Sequence, residues 1–257
     1  MNDYTAYHLD LETRQINHAK IAFLPGDPGR VTRIAAKVNP DYRELAFHRE
    51  YRTVYLEVGN TPVLITSTGI GAPSTAIAIE ELAQLGVKIF IRIGTTGAIQ
   101  PHINLGDMII TTGAVRLDGA SSHYAPIEYP AVADWQLVGI LANTAREAGI
   151  PAHCGITVSS DTFYPGQERY DTFTHYVIKR FQGSLEEWKH LNVLNYEMEA
   201  STLYVMASAF GLKAVTVSGV IAHRLTKERC VTDEIPATEA KLALLIQHSI
   251  PAIQSLL

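Results

Sequence analysis

Cysteine is scarce: Cys154 and Cys230 are the only two in the chain. Thiols that far apart build neither a disulfide framework nor a zinc knuckle. Long apolar runs are missing too, since none approaches the ~20 residues that a membrane-spanning helix needs. The N-terminal stretch MNDYTAYHLDLETRQ lacks a basic region followed by an apolar one, so no secretory signal is expected. Basic charge is not in excess. A net charge of −5 and a pI near 6.0 leave no positive field to recruit nucleic acid. Several catalytic signatures are absent as well: H-E-x-x-H, G-x-S-x-G and clustered Cys/His sets. These absences lead to the expectation of a cytoplasmic protein with neither membrane nor nucleic-acid partners.

What is present suits one globular domain over residues 1–257, with 47% hydrophobic and 18% charged residues. Segments of strand and helix character alternate, which predicts the α/β class: a central mixed, mostly parallel twisted sheet flanked by helices. Strands are expected over 21–24, 51–58, 61–66, 108–112, 153–158 and 213–220, with 51–66 a hairpin turning at Gly59-Asn60. Helices are expected over 31–38, up to Leu85, over 131–148, from Asn195 to Phe210, and from Thr238 until Pro251 kinks or ends it. The stretch 115–129 is irregular and polar.

The segment 87–99 organises the rest. It begins as a buried strand around Ile89, Phe90, Ile91 and Ile93, with Arg92 inside it. A guanidinium in an apolar strand needs an anionic partner, either a ligand or an internal carboxylate. Gly94-Thr95-Thr96-Gly97 follows, read either as half of an anion cradle or as an ordinary turn. Gly26 sits in the turn after the first of these strands, with the cation Arg30 one turn beyond it. Strand, glycine turn and helix can aim backbone N–H groups at a phosphate. No Gly-Lys-Ser/Thr ending makes this a nucleotide P-loop. Gly69-x-Gly71 begins like a dinucleotide fingerprint, but Ser74 replaces the third glycine and Arg92 lies where an acidic residue is needed.

Residues 159–170 mix hydrogen-bonding side chains with aromatics, as a planar polar ligand requires: Phe163 to stack on, Gln167 and Arg169 for its edge. Gln167 and Arg169 share one side if the segment is extended. Glu197 and Glu199 are two apart and so would not share a helical face. A carboxylate at a helix start can accept two hydroxyls of a sugar diol. His48-Arg49-Glu50 reads as a solvated turn. Oxyanion, sugar and flat heterocycle together point to a nucleoside phosphorylase.

At these residues the chain resembles the nucleoside phosphorylase-I family, in its hexameric, pyrimidine-acting branch of uridine phosphorylases. The likeness rests on Pro25-Gly-Asp-Pro, Ser67-Thr-Gly-Ile-Gly, the run from Arg92 to Asn104, the run from Ser159 to Asp171, and Asn195-Tyr-Glu-Met-Glu. It implies phosphorolysis of uridine, with inorganic phosphate as co-substrate and no organic cofactor. Phosphate would be held by Gly26, Arg30, Arg92 and Thr95, and by Arg49 of a neighbouring subunit. Ribose would be held by Glu199, Met198, Glu197 and Thr95, and by a neighbour's His8. Uracil would be bound by Phe163, Gln167 and Arg169, with Arg224 behind it. Arg92, Arg169, Arg224 and Glu199 would carry the catalysis. The resemblance also implies a homohexamer, a trimer of dimers, with a potassium ion at an interface beside Glu50, Ile70 and Ser74.

Two departures stand out. Ala222-His223 replaces the family's usual Val-Asn, and Leu225-Thr226-Lys227-Glu228 replaces a run of glutamines in a lid beside the base pocket. Both bear on tolerance of a 5-methyl group. Purine-acting relatives place an Asp after the serine of the last strand, whereas this chain has Ser218-Gly219-Val220. Alternatives to a pyrimidine phosphorylase are a nucleosidase, a purine phosphorylase and a non-catalytic binding relative.

Overall fold

The computed structural model describes residues 4–225 and 232–257. In chain order the elements are β1 (Thr5–Ala6), β2 (Leu11–Glu12), β3 (Ile21–Leu24), α1 (Pro28–Val38), β4 (Arg43–His48), β5 (Tyr51–Val58), β6 (Thr61–Thr66), α2 (Ala72–Leu85) and β7 (Ile89–Ala98). They continue with β8 (Met108–Leu117), α3 (Trp135–Glu147), β9 (Ala152–Ser160), α4 (Ser184–His190), β10 (Asn195–Glu197), α5 (Ala200–Ala209), β11 (Lys213–His223) and α6 (Ile235–Gln254). β1 and β2 form a small ribbon. The other nine strands make one sheet in the order β10–β9–β8–β11–β7–β3–β6–β5–β4. Five of its nine pairings are parallel. β10 also pairs with the far end of β7, Asn195 opposite Ala98, so β7, β11, β8, β9 and β10 close into a ring.

Both faces of the sheet are covered, as the near-continuous apolar runs of its central strands require. Ile21, Phe23, Ile89, Ile91, Val215 and Val217 pack with Val31 and Ile34 of α1, Leu137 and Leu141 of α3, and Leu242 and Ile246 of α6. Ala22, Leu24, Phe90 and Ala214 face the other way, against α2, α5 and the β1–β2 ribbon. Each fully buried Leu, Ile or Phe contributes about 1.5–3 kcal/mol of transfer free energy. Among the described residues no helix is long and apolar enough to cross a membrane.

Several elements differ from expectation, for local reasons. α1 starts at Pro28 because Asp27 caps it, its carboxylate accepting from Gly29 N–H at 2.8 Å. α3 starts at Trp135, not 131, because Asp134 accepts from the N–H groups of Gln136 and Leu137. β8 runs on to Leu117 because β9 supplies ladder partners as far as Ser160, so the stretch after Thr112 is not wholly irregular. β11 likewise runs past Val220 to His223, with an irregularity between Val220 and Ala222. Pro251 does not end α6. It lies on the exposed side in the last turn, while Ile250 and Ile253 stay buried.

Gly94 to Gly97 is not a turn. It continues β7, because β11 pairs with it residue by residue, Gly94 opposite Ser218 and Thr95 opposite Gly219. Residues 195–197 do not open a helix; they form β10, and α5 begins only after Glu199.

Gly219 sits under α6. A Cβ placed on it would lie 2.0 Å from Thr238 Cγ2, so no side chain fits without moving the helix. Gly219→Ala is expected to lower stability by about 1–3 kcal/mol through overpacking. Thr238→Ser, which removes the obstructing methyl, should recover part of that loss in the double variant. Thermal unfolding of the four proteins checks this, and strictly additive effects would mean the clash is not the cause.

Candidate active site

The carboxyl ends of β3 and β7 lie side by side, Leu24 opposite Arg92, and β10 folds back against the end of β7. Between them lies a cavity of about 360 Å³, near the small end of the ~300–1,000 Å³ range usual for small-molecule sites. Its wall brings together Gly26, Arg30, Arg92, Thr95, Phe163, Gln167, Arg169, Glu197, Met198 and Glu199, all residues singled out from sequence. They come from five separate segments of the chain.

Both candidate interpretations of Arg92 are realised in part. Its guanidinium is buried, donates to Glu199 Oε2 and lies 3.5 Å from Glu197 Oε2, so internal carboxylates meet it. Yet its Nη1 has no hydrogen-bond partner, and neither does the buried Nη2 of Arg30. Arg30 Nε stands 3.4 Å from Glu239 Oε1. Burial pulls the Arg30 guanidinium down to about 10, and the Arg92 charge adds to the fall while Glu239 opposes it. Two buried guanidinium groups with donors to spare in one wall form a receptor for an oxyanion.

Glu199 and Glu197 converge despite their spacing, because a strand-to-helix turn separates them rather than a helical face. Glu199 Oε1 accepts from Gly71 N–H at 2.6 Å, at the start of α2. Glu197 caps α5, its Oε2 accepting from the N–H groups of Glu199 (2.8 Å) and Ala200 (2.9 Å). Its Oε1 accepts from the Ser159 hydroxyl. Burial, and next the Glu199 carboxylate, push Glu197 up to about 7, while Arg92 and the Ser159 hydroxyl oppose the rise.

The segment carrying Gln167 and Arg169 is not extended. A 3₁₀ turn spans Pro165–Gln167 and Glu168 adopts φ +52°. The two side chains still meet, with Arg169 Nη2 3.4 Å from Gln167 Oε1 and the Arg169 guanidinium 3.9 Å above the Phe163 ring. Glu168 explains the turn: its carboxylate accepts from Gly183 and from Leu185 (2.6 Å) at the start of α4, pointing away from the cavity. Arg224 is not in the wall. It donates to the Gln167 carbonyl at 2.8 Å and stacks over Tyr196, holding the loop from behind.

Some candidates lie apart from the cavity. His8 is tied through Nδ1 to Glu81 at 2.7 Å, and Arg49 is an exposed residue with φ +57° in the turn between β4 and β5. Glu50, Ile70 and Ser74 gather around Gly69, whose φ is +71°. A Cβ there would lie 2.8 Å from Glu50 Cγ and 2.9 Å from Ser74 Oγ, and Ser74 Oγ donates to the Ile70 carbonyl at 3.3 Å. A carboxylate, a carbonyl and a hydroxyl are the oxygen donors a hard cation takes, so these residues fit a potassium ion. The lid expected over 225–228 lies, beyond Leu225, outside the described residues.

Sequence inspection missed Arg33, Tyr196, Ile221 and Ile235, which also line the cavity, and Glu239, which pairs with Arg33 at 2.9 Å. Arg33 sits one turn beyond Arg30 on α1, a spacing that could have pointed to it. Glu239 lies far along the chain and carried no such signal.

Comparison with known proteins agrees with this geometry. Residues 20–250 match the family model described as the phosphorylase superfamily. The chain is 50% identical over 246 residues to the uridine phosphorylase of Escherichia coli, covering 96% of this chain and 97% of that one. It is 52% identical over 252 residues to that of Haemophilus influenzae, covering 98% of each. A guanosine phosphorylase of Halorubrum lacusprofundi is 38% identical over 232 residues, covering 89% of each. With a cavity that gathers arginines and carboxylates at the strand ends, and likeness running nearly end to end, this chain belongs to the phosphorylase superfamily.

Proposed function

We propose that this protein is a uridine phosphorylase, converting uridine and phosphate reversibly to uracil and ribose 1-phosphate in cytoplasmic pyrimidine salvage and catabolism. The observation that carries this is the single cavity in which spare donors of Arg30 and Arg92, the Glu199 carboxylate, and the Phe163–Gln167–Arg169 group face one another. Phosphate fits against Gly26, Arg30, Arg92 and Thr95, each charge-assisted hydrogen bond contributing about 1.5–3 kcal/mol. Glu199, with Met198, Glu197 and Thr95 nearby, takes the ribose hydroxyls. Uracil stacks on Phe163 and is read by Gln167 and Arg169.

A phosphate oxygen forms its bond to C1′ as the C1′–N1 bond lengthens and the ribose gains oxocarbenium character. Uracil departs with the electron pair of that bond, and Arg169 stabilises the negative charge before solvent returns a proton. Arg224 contributes by holding the Gln167 backbone. Assembly as a homohexamer of three dimers is part of the same proposal. Arg49 and His8, outside their own chain's cavity, would complete a neighbour's site, His8 through Nε2 since Nδ1 is committed to Glu81. Glu50, Ile70 and Ser74 would hold potassium at an interface, its charge anchoring the turn beside Arg49.

A purine-acting enzyme is the second candidate, because a guanosine phosphorylase is among the relatives. Gly219 speaks against it: the space that an acidic side chain would need there is filled by Thr238. Incubation with uridine should release uracil only when phosphate is present. Equal release without phosphate would indicate a nucleosidase, faster turnover of inosine a purine enzyme, and binding without turnover a non-catalytic relative.

A further inference from the structure

Ser159 lies at the end of β9, fully buried and in register with Glu197 of β10. Its oxygen accepts from Ser201 N–H at 2.9 Å, in the first turn of α5. A serine hydroxyl has one proton, and here the neighbouring acceptor for it is Glu197 Oε1. The hydroxyl is thus oriented as a donor to the carboxylate. With Oε2 taken by two backbone N–H groups, both oxygens of Glu197 are engaged by the protein itself. Ser201 is fixed in turn: its hydroxyl and that of Thr202 donate to the buried Asp118, which also accepts from Ser121 N–H at 2.7 Å.

We infer that Ser159 is a positioning residue: by donating to Glu197 it keeps that carboxylate ionised and anchors the first turn of α5, so that Glu199 and Arg92 hold the arrangement the reaction uses. This rests on the function proposed above. The groups facing Glu197 define its charge balance: Arg92 from β7, Glu199 from the adjoining turn, Ser159 from β9, and Tyr204 from α5, whose hydroxyl donates to the Thr111 carbonyl. Two carboxylates share one guanidinium there. Loss of a hydrogen bond to the ionised form moves Glu197 toward its neutral form. Arg92 is then shared differently, and the acid limb of turnover moves with it.

The test is the infrared carboxylic-acid band of the unliganded full-length protein, titrated with pH and assigned by its disappearance in Glu197→Gln. Ser159→Ala is expected to raise its midpoint by roughly one pH unit, the scale of one charge-assisted hydrogen bond. The acid limb of kcat/KM for uridine should rise by the same amount, lowering it about tenfold on that limb. Ser159→Thr, which keeps the hydroxyl, should restore both. Should Ser159→Ala fold poorly, Ser159→Cys, a weaker donor, should show a smaller rise in the same direction. An unchanged midpoint and pH profile in these variants, with only the melting temperature lowered, would overturn the assignment. The band titration needs no substrate, so failure of uridine turnover in the unaltered protein would count against the proposed function and leave this result to stand separately.

Discussion

Arg92→Leu is expected to reduce uridine phosphorolysis at least about 10³-fold, the range seen when a charge-stabilising arginine is removed at a phosphoryl site. It should also abolish the thermal stabilisation that phosphate confers on the unaltered protein. The same substitution strips the counter-charge from Glu197 and Glu199, both buried. Breaking a buried ion pair from one side costs about 3–5 kcal/mol. The pH dependence has a definite sign. Without the guanidinium, both carboxylates titrate higher in the folded protein than the ~4.3 of an unfolded glutamate. From there up to the raised folded values the native state binds more protons, so stability falls as pH rises. The deficit of Arg92→Leu should therefore be smaller at pH 5 than at pH 8. Denaturant unfolding at the two pH values measures it, and a deficit independent of pH would show that the carboxylates do not depend on Arg92.

Arg169→Ala is expected to lower kcat/KM for uridine by about 10²–10³, the usual effect of deleting one preorganised donor to a developing charge. Phosphate stabilisation should survive, because Arg169 lies with Phe163 and Gln167 rather than with Arg30 and Arg92. Arg169→Lys should recover only part, since an ammonium keeps the charge but not the planar fork that stacks on the ring. Thermal shifts with phosphate, beside uridine kinetics, separate the two halves of the site. Equal loss of both would show that the cavity does not divide into an anion end and a base end.

The anion end was largely legible from residue order. A glycine turn after an apolar strand and an arginine inside another are local signals, and parallel pairing of β3 with β7 brings them together. Alternation of apolar residues marked most strands and the α3 and α6 stripes for the same reason. Less visible was anything set by ladders between distant segments. Gly94 to Gly97 reads as a turn until β11 lies beside it, and Asn195-Tyr196-Glu197 reads as helical until β7 and β9 claim it. Glu239 was invisible because its importance comes only from where α6 lands, beside Arg30 and Arg33. Glu168, one place from two base-reading residues, faces away because α4 offers it backbone donors.

The return of three-residue β10 onto β7 bears on how these molecules behave when concentrated. A strand at the margin of a sheet offers bare amides and carbonyls on which foreign chains can accrete. Here one margin is stitched to the interior, so among the described residues the nine-stranded sheet offers β4 alone as a template. That strand carries Arg43, Glu44 and His48, whose charge and hydration discourage stacking by strangers while leaving the opposite margin with nothing to offer them.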